Sequence, residues 1–528
     1  MTLLDYVFAA PMLMLSGFGL VVLILGTIAD RFPKGRMNHY LAPDLLSTAL
    51  MVPVIIMAGA ALWAGICYNA VSFDTVPFLH RLLLVDPFAA FFGLIAVIGT
   101  FIVMLMSLDY FAENTRHRTE YFALLLFATT AILLVAASTD LLMIYLSLEF
   151  LSLSSYVLAA YWKNDSRSSE AGMKYFLFGA VSSAVMLYGM SMLFGLAGST
   201  NLGAIATMIG TGSTISPQGA WAAVVMVLAG IGFKLALVPF HLWAPDTYEG
   251  APTPITAWLS VASKAAGLAV ATRFLLVAIP LGHGVDWYAI LIVLSAASMT
   301  LGNLVAIVQK NVKRMLAYSS IAQVGYMLVG VLAAATAHDP RRAVDAGYVA
   351  VSSLNRGTIN YGLAGLLVYA ASYLFMNLGA FAVVIAVERR SGSSGIDAFT
   401  GLMKRAPFLA SSLVVFFLSL AGIPPTAGFV GKFYVFASAI QTARTDLVVL
   451  AIIAVANSVI SVYYYFNVVR LMFMQEAPMT LAEPAPTGEP AWTSVPLRAA
   501  ILLTLVLTIG ICLAAAPVIR LAQAAVAF

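Results

Sequence analysis

Charge is scarce in this sequence. Asp, Glu, Lys and Arg make up 9% of the 528 residues, hydrophobic residues make up 62%, and mean hydropathy is +0.97. A soluble domain cannot leave that much apolar surface in water, so the chain reads as an all-α polytopic membrane protein. Cysteine is scarcer still. Cys67 and Cys512 lie in separate apolar runs, so no Cys pair or Cys/His cluster is expected to hold zinc or an iron–sulfur centre. Dinucleotide and P-loop fingerprints are missing too. No metal and no cofactor are therefore expected in this chain. A net charge of +4 is too small for a nucleic-acid surface, so no nucleic-acid partner is expected. It suits loops that face an anionic lipid leaflet. The N-terminus, MTLLDY, has no basic region before the first apolar run, so that run is expected to be a retained span and not a cleaved signal.

Long apolar runs are abundant. At about 20 residues per crossing they give about 14 spans. These lie near residues 7–29, 45–67, 87–107, 121–138, 140–162, 171–196, 219–241, 252–277, 287–308, 314–336, 361–388, 408–440, 446–474 and 497–525. One set of connecting loops carries Arg31, Lys34, Arg36, Arg116, Arg118, Lys163, Arg167, Lys310, Lys313, Arg314, Arg389, Arg390, Lys404 and Arg405. The alternate set carries Arg81, Arg341, Arg342, Arg356 and Arg444. The basic set is expected to be cytoplasmic, which places both termini on the outer face. The longest outer loops are expected near 68–86, 197–218 and 337–360, and the polar stretch 475–496 is expected on the cytoplasmic side. The layout suggests N-terminal helices over 1–120, a five-helix unit over 121–277, a second over 287–474 and a last helix over 497–525. An odd number of spans per unit makes the two units inverted copies, a plan common among transporters.

Two stretches break the apolar pattern. GFKLALVPFHLWAPDTYEG, residues 232–250, places Lys234 and Pro239 inside one span. GIPPTAGFVGKF, residues 422–433, places Pro424, Pro425 and Lys432 inside another. Proline in a membrane helix frees backbone groups that lipid cannot satisfy. A lysine at that depth costs roughly 2.5–3.5 kcal/mol on insertion scales. Both spans are expected to be interrupted helices, and paired interruptions point to an ion or substrate site. Kinks that serve packing alone are the bland alternative for the prolines.

Ionisable residues within spans are few. Glu149, in YLSLEFLSLSSY, is the acid that lies well inside its span. The intramembrane lysines are Lys174, Lys234, Lys264 and Lys432. A Glu149–Lys234 ion pair that merely joins two helices is possible in principle, but buried pairs are poor stabilisers and membrane helices associate mainly through small residues. Lys264 lies among Ser260, Ser263, Ala265 and Ala266, which leave room for water. Lys174 sits near a span end, where snorkelling competes with a relay role. His241 follows the first interruption and is either a helix-end cap or a proton relay. Arg273 and Arg470 lie near span ends and are expected to snorkel to an interface. A buried amine can be driven to release its proton, and a nearby carboxylate holds that proton on. Displacing Glu149 from Lys234 and restoring it would make a proton switch from one charge pair.

Long motifs then carry a resemblance: VDPFAAFF, DLLMIYLSLEFLSLSSYVLAAY, SSEAGMKYFLFGAVSSA, APDTYEGAPTPITAWLSVASKAAG, NVKRMLAYSSIAQVGYMLVG and LAGIPPTAGFVGKFYVF. The chain resembles subunit N of bacterial NADH–quinone oxidoreductase (respiratory complex I), within the antiporter-like group that includes Mrp cation/proton antiporter subunits. It stops after the fourteenth span, without the long lateral helix of subunit L. The resemblance implies a proton-translocating membrane-arm subunit in the bacterial inner membrane. Glu149 and Lys234 would form its gate, Lys264 the central link and Lys432 the exit, with Lys174 matching the sixth-span lysine of the group. It also implies that NADH, FMN, iron–sulfur clusters and quinone belong to partner subunits, and that antiporter-like and small membrane-arm subunits flank the chain. An Mrp-type antiporter subunit, a membrane-bound hydrogenase subunit and a non-transporting scaffold are the rival readings. The segment 338–361, with Arg341, Arg342 and Arg356, is longer than the group leads one to expect.

Overall fold

The computed structural model describes residues 3–29, 43–67, 82–111, 117–211, 217–279, 281, 285–337, 361–476 and 493–526. Residues 338–360 and 477–492 lie outside the described residues, as do Arg31, Lys34, Arg36, Arg81 and Arg116, on which part of the loop-charge reading rests.

Among the described residues the chain is helical, with no named strand. In order, the helices are α1 (Leu3–Ala29), α2 (Pro43–Cys67), α3 (Pro87–Tyr110), α4 (Arg118–Ala137), α5 (Leu141–Ala159) and α6 (Ser166–Ala197). There follow α7 (Leu202–Thr211), α8 (Pro217–Leu235), α9 (Trp243–Gly250), α10 (Thr253–Arg273), α11 (Tyr288–Ile307) and α12 (Val312–Ala337). The last are α13 (Tyr361–Ser391), α14 (Pro407–Ala421), α15 (Ala427–Gln441), α16 (Thr445–Met474), α17 (Val495–Leu513) and α18 (Ala515–Ala525). Thirteen of these are long and apolar enough to cross a membrane. The remaining expected span, 408–440, is two helices of 15 residues each, α14 and α15, separated by a break.

Local chemistry sets the helix ends. The Asp86 carboxylate accepts from Ala89 N at 2.8 Å and starts α3; Asp140 does the same for α5 through Leu142 N at 2.9 Å. Each satisfies a backbone donor that a helix start leaves free. The expected outer loop at 197–218 holds the ten-residue helix α7, whose first amides bond the Asn201 side chain.

Helices α3, α4, α10, α12 and α13 are the most enclosed, and α1, α2, α6 and α17 are among those with the most exposed flanks. Close approach depends on glycine at a few points. At Gly428 a Cβ would stand 1.8 Å from the Ser419 carbonyl oxygen, so α14 and α15 can meet only there without a side chain. At one end of the bundle, polar ties gather the basic loops: Tyr161 to the His117 carbonyl, Lys313 to the Ala251 carbonyl at 2.9 Å, and Asn311 to Ser394 at 3.0 Å.

Candidate functional site

The two interruptions are built alike. At the first, Ala236 has φ 56°, Ala236 N bonds Phe233 O at 3.0 Å and Leu237 N bonds Gly232 O at 2.8 Å. At the second, Gly422 has φ 85°, Gly422 N bonds Ser419 O at 3.0 Å and Ile423 N bonds Leu418 O at 2.9 Å. Both are Schellman endings, in which a left-handed residue turns the chain back on its last carbonyls. A cis peptide precedes Pro239 and Pro425. Lys234 lies in the last turn before the first break, whereas Lys432 lies in the half-helix after the second.

Lys234 is buried, and its Nζ donates to Ser152 Oγ at 3.2 Å. Glu149 is half-buried, and its carboxylate accepts from the Ser183 hydroxyl. The two make no direct ion pair. Glu149 and Ser152 lie three residues apart on α5, on one face, so the serine stands at the lysine and the carboxylate one turn back, at Ser183.

Lys264 is 2% exposed at the middle of α10, and its Nζ has no hydrogen-bond partner among the described residues. Other buried polar atoms without such a partner are the hydroxyls of Ser147, Tyr175, Tyr248 and Ser263, Asn377 Oδ1 and His241 Nδ1. One helical turn before Lys264, Ser260 accepts from Asn377 Nδ2 at 2.6 Å.

Lys432 is 4% exposed and well bonded. Its Nζ donates to Leu420 O at 3.0 Å, to Ala421 O at 3.1 Å and to Ser458 Oγ at 2.9 Å, and sits 4.7 Å from the centre of the Tyr326 ring. The two carbonyls belong to the last turn of α14 and have no helical partner because the helix stops there.

The structure brings Lys174 into a charge cluster. Its Nζ stands 2.8 Å from Glu170 and 2.7 Å from Asp246 on α9. Arg314 on α12 reaches Asp246 at 2.6 Å and Glu249 at 3.0 Å. Burial alone would push the Asp246 carboxyl up; the hydrogen bonds from Lys174 and Arg314 outweigh it and hold the group below the usual aspartate range. The snorkelling expected of Arg273 is wrong. Arg273 is 6% exposed, bonds Asp86 at 2.5 Å and the Ala136 carbonyl at 2.7 Å, and ties α10 to the start of α3 and the end of α4. Arg470 is exposed, as expected, and bonds Asn467 at 3.2 Å.

The match to known proteins is broad. The family model described as "NADH:quinone oxidoreductase/Mrp antiporter, TM" covers residues 138–339 and 344–461. NADH-quinone oxidoreductase subunit N of Desulfitobacterium hafniense is 43% identical over 428 residues, 80% of this chain and 83% of that protein. Subunit N 1 of Koribacter versatilis is 41% identical over 515 residues, 96% of this chain and 92% of that one. The chain belongs to the NADH-quinone oxidoreductase subunit N family. A chain of respiratory complex I from Thermus thermophilus, with bound aureothin, superposes with a TM-score of 0.72 at 28% identity, over 97% of this chain and 99% of that one. Family membership makes the chain a multi-pass membrane component of a multi-subunit oxidoreductase.

Sequence reasoning missed the partners. Ser152, Ser183 and Asp246 were not singled out, nor were the buried tyrosines Tyr326, Tyr369, Tyr373, Tyr464 and Tyr465. A weak signal existed: Ser319 and Gln323, like Tyr369 and Tyr373, are four residues apart and share a helix face.

Proposed function

We propose that the chain carries protons across the membrane in the membrane arm of NADH–quinone oxidoreductase, driven by NADH oxidation and quinone reduction in other subunits. The observation that carries this reading is the set Lys234, Lys264 and Lys432. All three are buried in a membrane protein, and no carboxylate lies within ion-pair distance of any of them among the described residues. Groups that gain and lose a proton are what such a path needs. Glu149 and Lys234 form the gate through Ser152, Lys264 links the halves, and Lys432 passes the proton on. Lys174 holds the clamp on α9, and His241, beyond the first break, serves as a relay.

The units 121–277 and 287–474 act as inverted halves around Lys264. NADH, FMN, the iron–sulfur clusters and quinone sit in partner subunits, and antiporter-like and small membrane-arm subunits flank this one. The complex resides in the bacterial inner membrane with both termini of this chain on the outer face. Each charge moved against 100 mV costs about 2.3 kcal/mol, a scale that a lysine losing or gaining its partner can match.

Lys264→Ala tests the path. The complex should assemble and reduce an artificial acceptor normally, while quinone-linked pumping in proteoliposomes falls. Parent-level protons per electron would remove Lys264 from the path.

A further inference from the structure

Helices α12 and α13 each pack against both α10, which carries Lys264, and α15, which carries Lys432. Buried polar groups gather where α12 and α13 meet each other and where α12 meets α11 and α16. Tyr373 donates to Ser320 Oγ at 2.8 Å, and the Ser319 and Tyr465 hydroxyls bond each other at 2.5 Å. Tyr464 donates to Asn303 Oδ1 at 3.1 Å, and Asn303 Nδ2 donates to the Tyr326 oxygen at 2.8 Å. A hydroxyl can accept a proton on the same oxygen from which it gives one up, so such groups relay protons without rearranging bonds.

Gln323 is different. It is 1% exposed, on α12. Its Nε2 donates to Leu420 O at 3.1 Å, and Tyr369 donates its hydroxyl to Oε1. The orientation of the amide follows from chemistry: the Leu420 carbonyl can only accept, so the nitrogen must face it. That same carbonyl accepts from Lys432 Nζ at 3.0 Å. The link from the Tyr369 hydroxyl to Lys432 therefore runs through an amide and a shared carbonyl. A carboxyl can take a proton on one oxygen and release it from the other. An amide would have to take it on oxygen and release it from nitrogen, leaving a high-energy imidic acid. The carbonyl has no proton to give.

We propose that Gln323 is a valve between the buried hydroxyls and Lys432. Bonded to Leu420 O, it isolates a proton on Lys432 from the hydroxyls behind it. When the amide swings off that carbonyl, the Tyr369 hydroxyl and Lys432 Nζ exchange a proton directly or through one water. An O–H bond breaks, an N–H bond forms, and the tyrosine oxygen takes its replacement proton from the hydroxyl side. This inference rests on the proposed role of Lys432 in proton transfer.

The test uses the intact complex in proteoliposomes with three variants, Gln323→Glu, Gln323→Leu and Lys432→Ala, each checked for assembly and for electron transfer to an artificial acceptor. Gln323→Glu puts a group that can relay at the barrier, so protons return and protons per electron should fall more than turnover does. Gln323→Leu leaves a dry barrier that cannot open by exchanging hydrogen bonds, so turnover and pumping should fall together at an unchanged ratio. A bond that merely holds α12 to α14 would lower both variants in step. A parent ratio in Gln323→Glu, with pumping lost in Lys432→Ala, overturns the valve and leaves the path standing. Full pumping in Lys432→Ala overturns the path, and the valve with it. Should Gln323→Leu fail to assemble, the ratio in Gln323→Glu decides alone.

Discussion

Lys234 holds Ser152, not Glu149: the ammonium meets the serine hydroxyl at 3.2 Å, while the glutamate one turn back on α5 is taken by Ser183. A lysine and a carboxylate separated by one small hydroxyl can couple without closing into a permanent pair, which suits a switch better than a strut.

This arrangement predicts shared function among three residues. Glu149→Gln and Lys234→Ala should each reduce turnover and pumping, and the double variant should lose much less than the sum of the two in free energy. Ser152→Ala should weaken the coupling between them. Strictly additive losses across the cycle would mean that the two charges act independently, and the switch would be abandoned.

Asp246 predicts a pH-dependent clamp. Its folded carboxyl is held below the usual aspartate range, so its contribution to stability is fully present above the unfolded value of about 3.9. It is lost as pH falls through the lower folded value. Asp246→Asn should therefore melt earlier than the parent complex at neutral pH, and the difference should shrink only in acid below about pH 4. A difference that vanishes between neutral pH and that point would rule the clamp out.

Arg273 and Asp86 are both enclosed, so removing one strands the other. Arg273→Ala should cost about 3–5 kcal/mol, the usual loss when one partner of a buried pair is deleted. It should show as reduced assembly and a lower melting temperature of the complex. Arg273→Ala together with Asp86→Asn should recover part of the loss. A single variant as stable as the parent would mean that the pair contributes nothing.

The breaks were legible because their causes are written locally: prolines and a lysine inside apolar runs. The left-handed residues that turn the chain, Gly422 and Ala236, were not singled out; glycine favours that backbone, but nothing in the alanine side chain marks it. Partners were far less legible. Lys174 and Asp246 are 72 residues apart, and only the packing of α6 against α9 makes them neighbours. Arg273 looked like a helix-end residue because its acid, Asp86, caps the start of α3, far away in the sequence. Nothing in the apolar pattern separates Tyr326, Tyr369, Tyr373, Tyr464 and Tyr465 from the aromatics that membrane proteins place at interfaces; their burial is visible only in three dimensions.

The orientation of the chain makes a prediction about its two faces. Among the described residues of the loop set with more Lys and Arg, Lys313 stands beside Glu388 and Lys404 beside Glu476. Helix α16 ends at Met474, and α17 starts at Val495. With 19 residues at 1.5 Å each, α17 is about 28 Å long, enough to cross a hydrocarbon core of about 30 Å once. A reporter fused after Phe528 should then read as external, and one inserted near Glu483 as cytoplasmic. If both report from one side, α17 is not a crossing. If they are exchanged, the positive-inside orientation is inverted, and Lys432 would deliver its proton toward the cytoplasm.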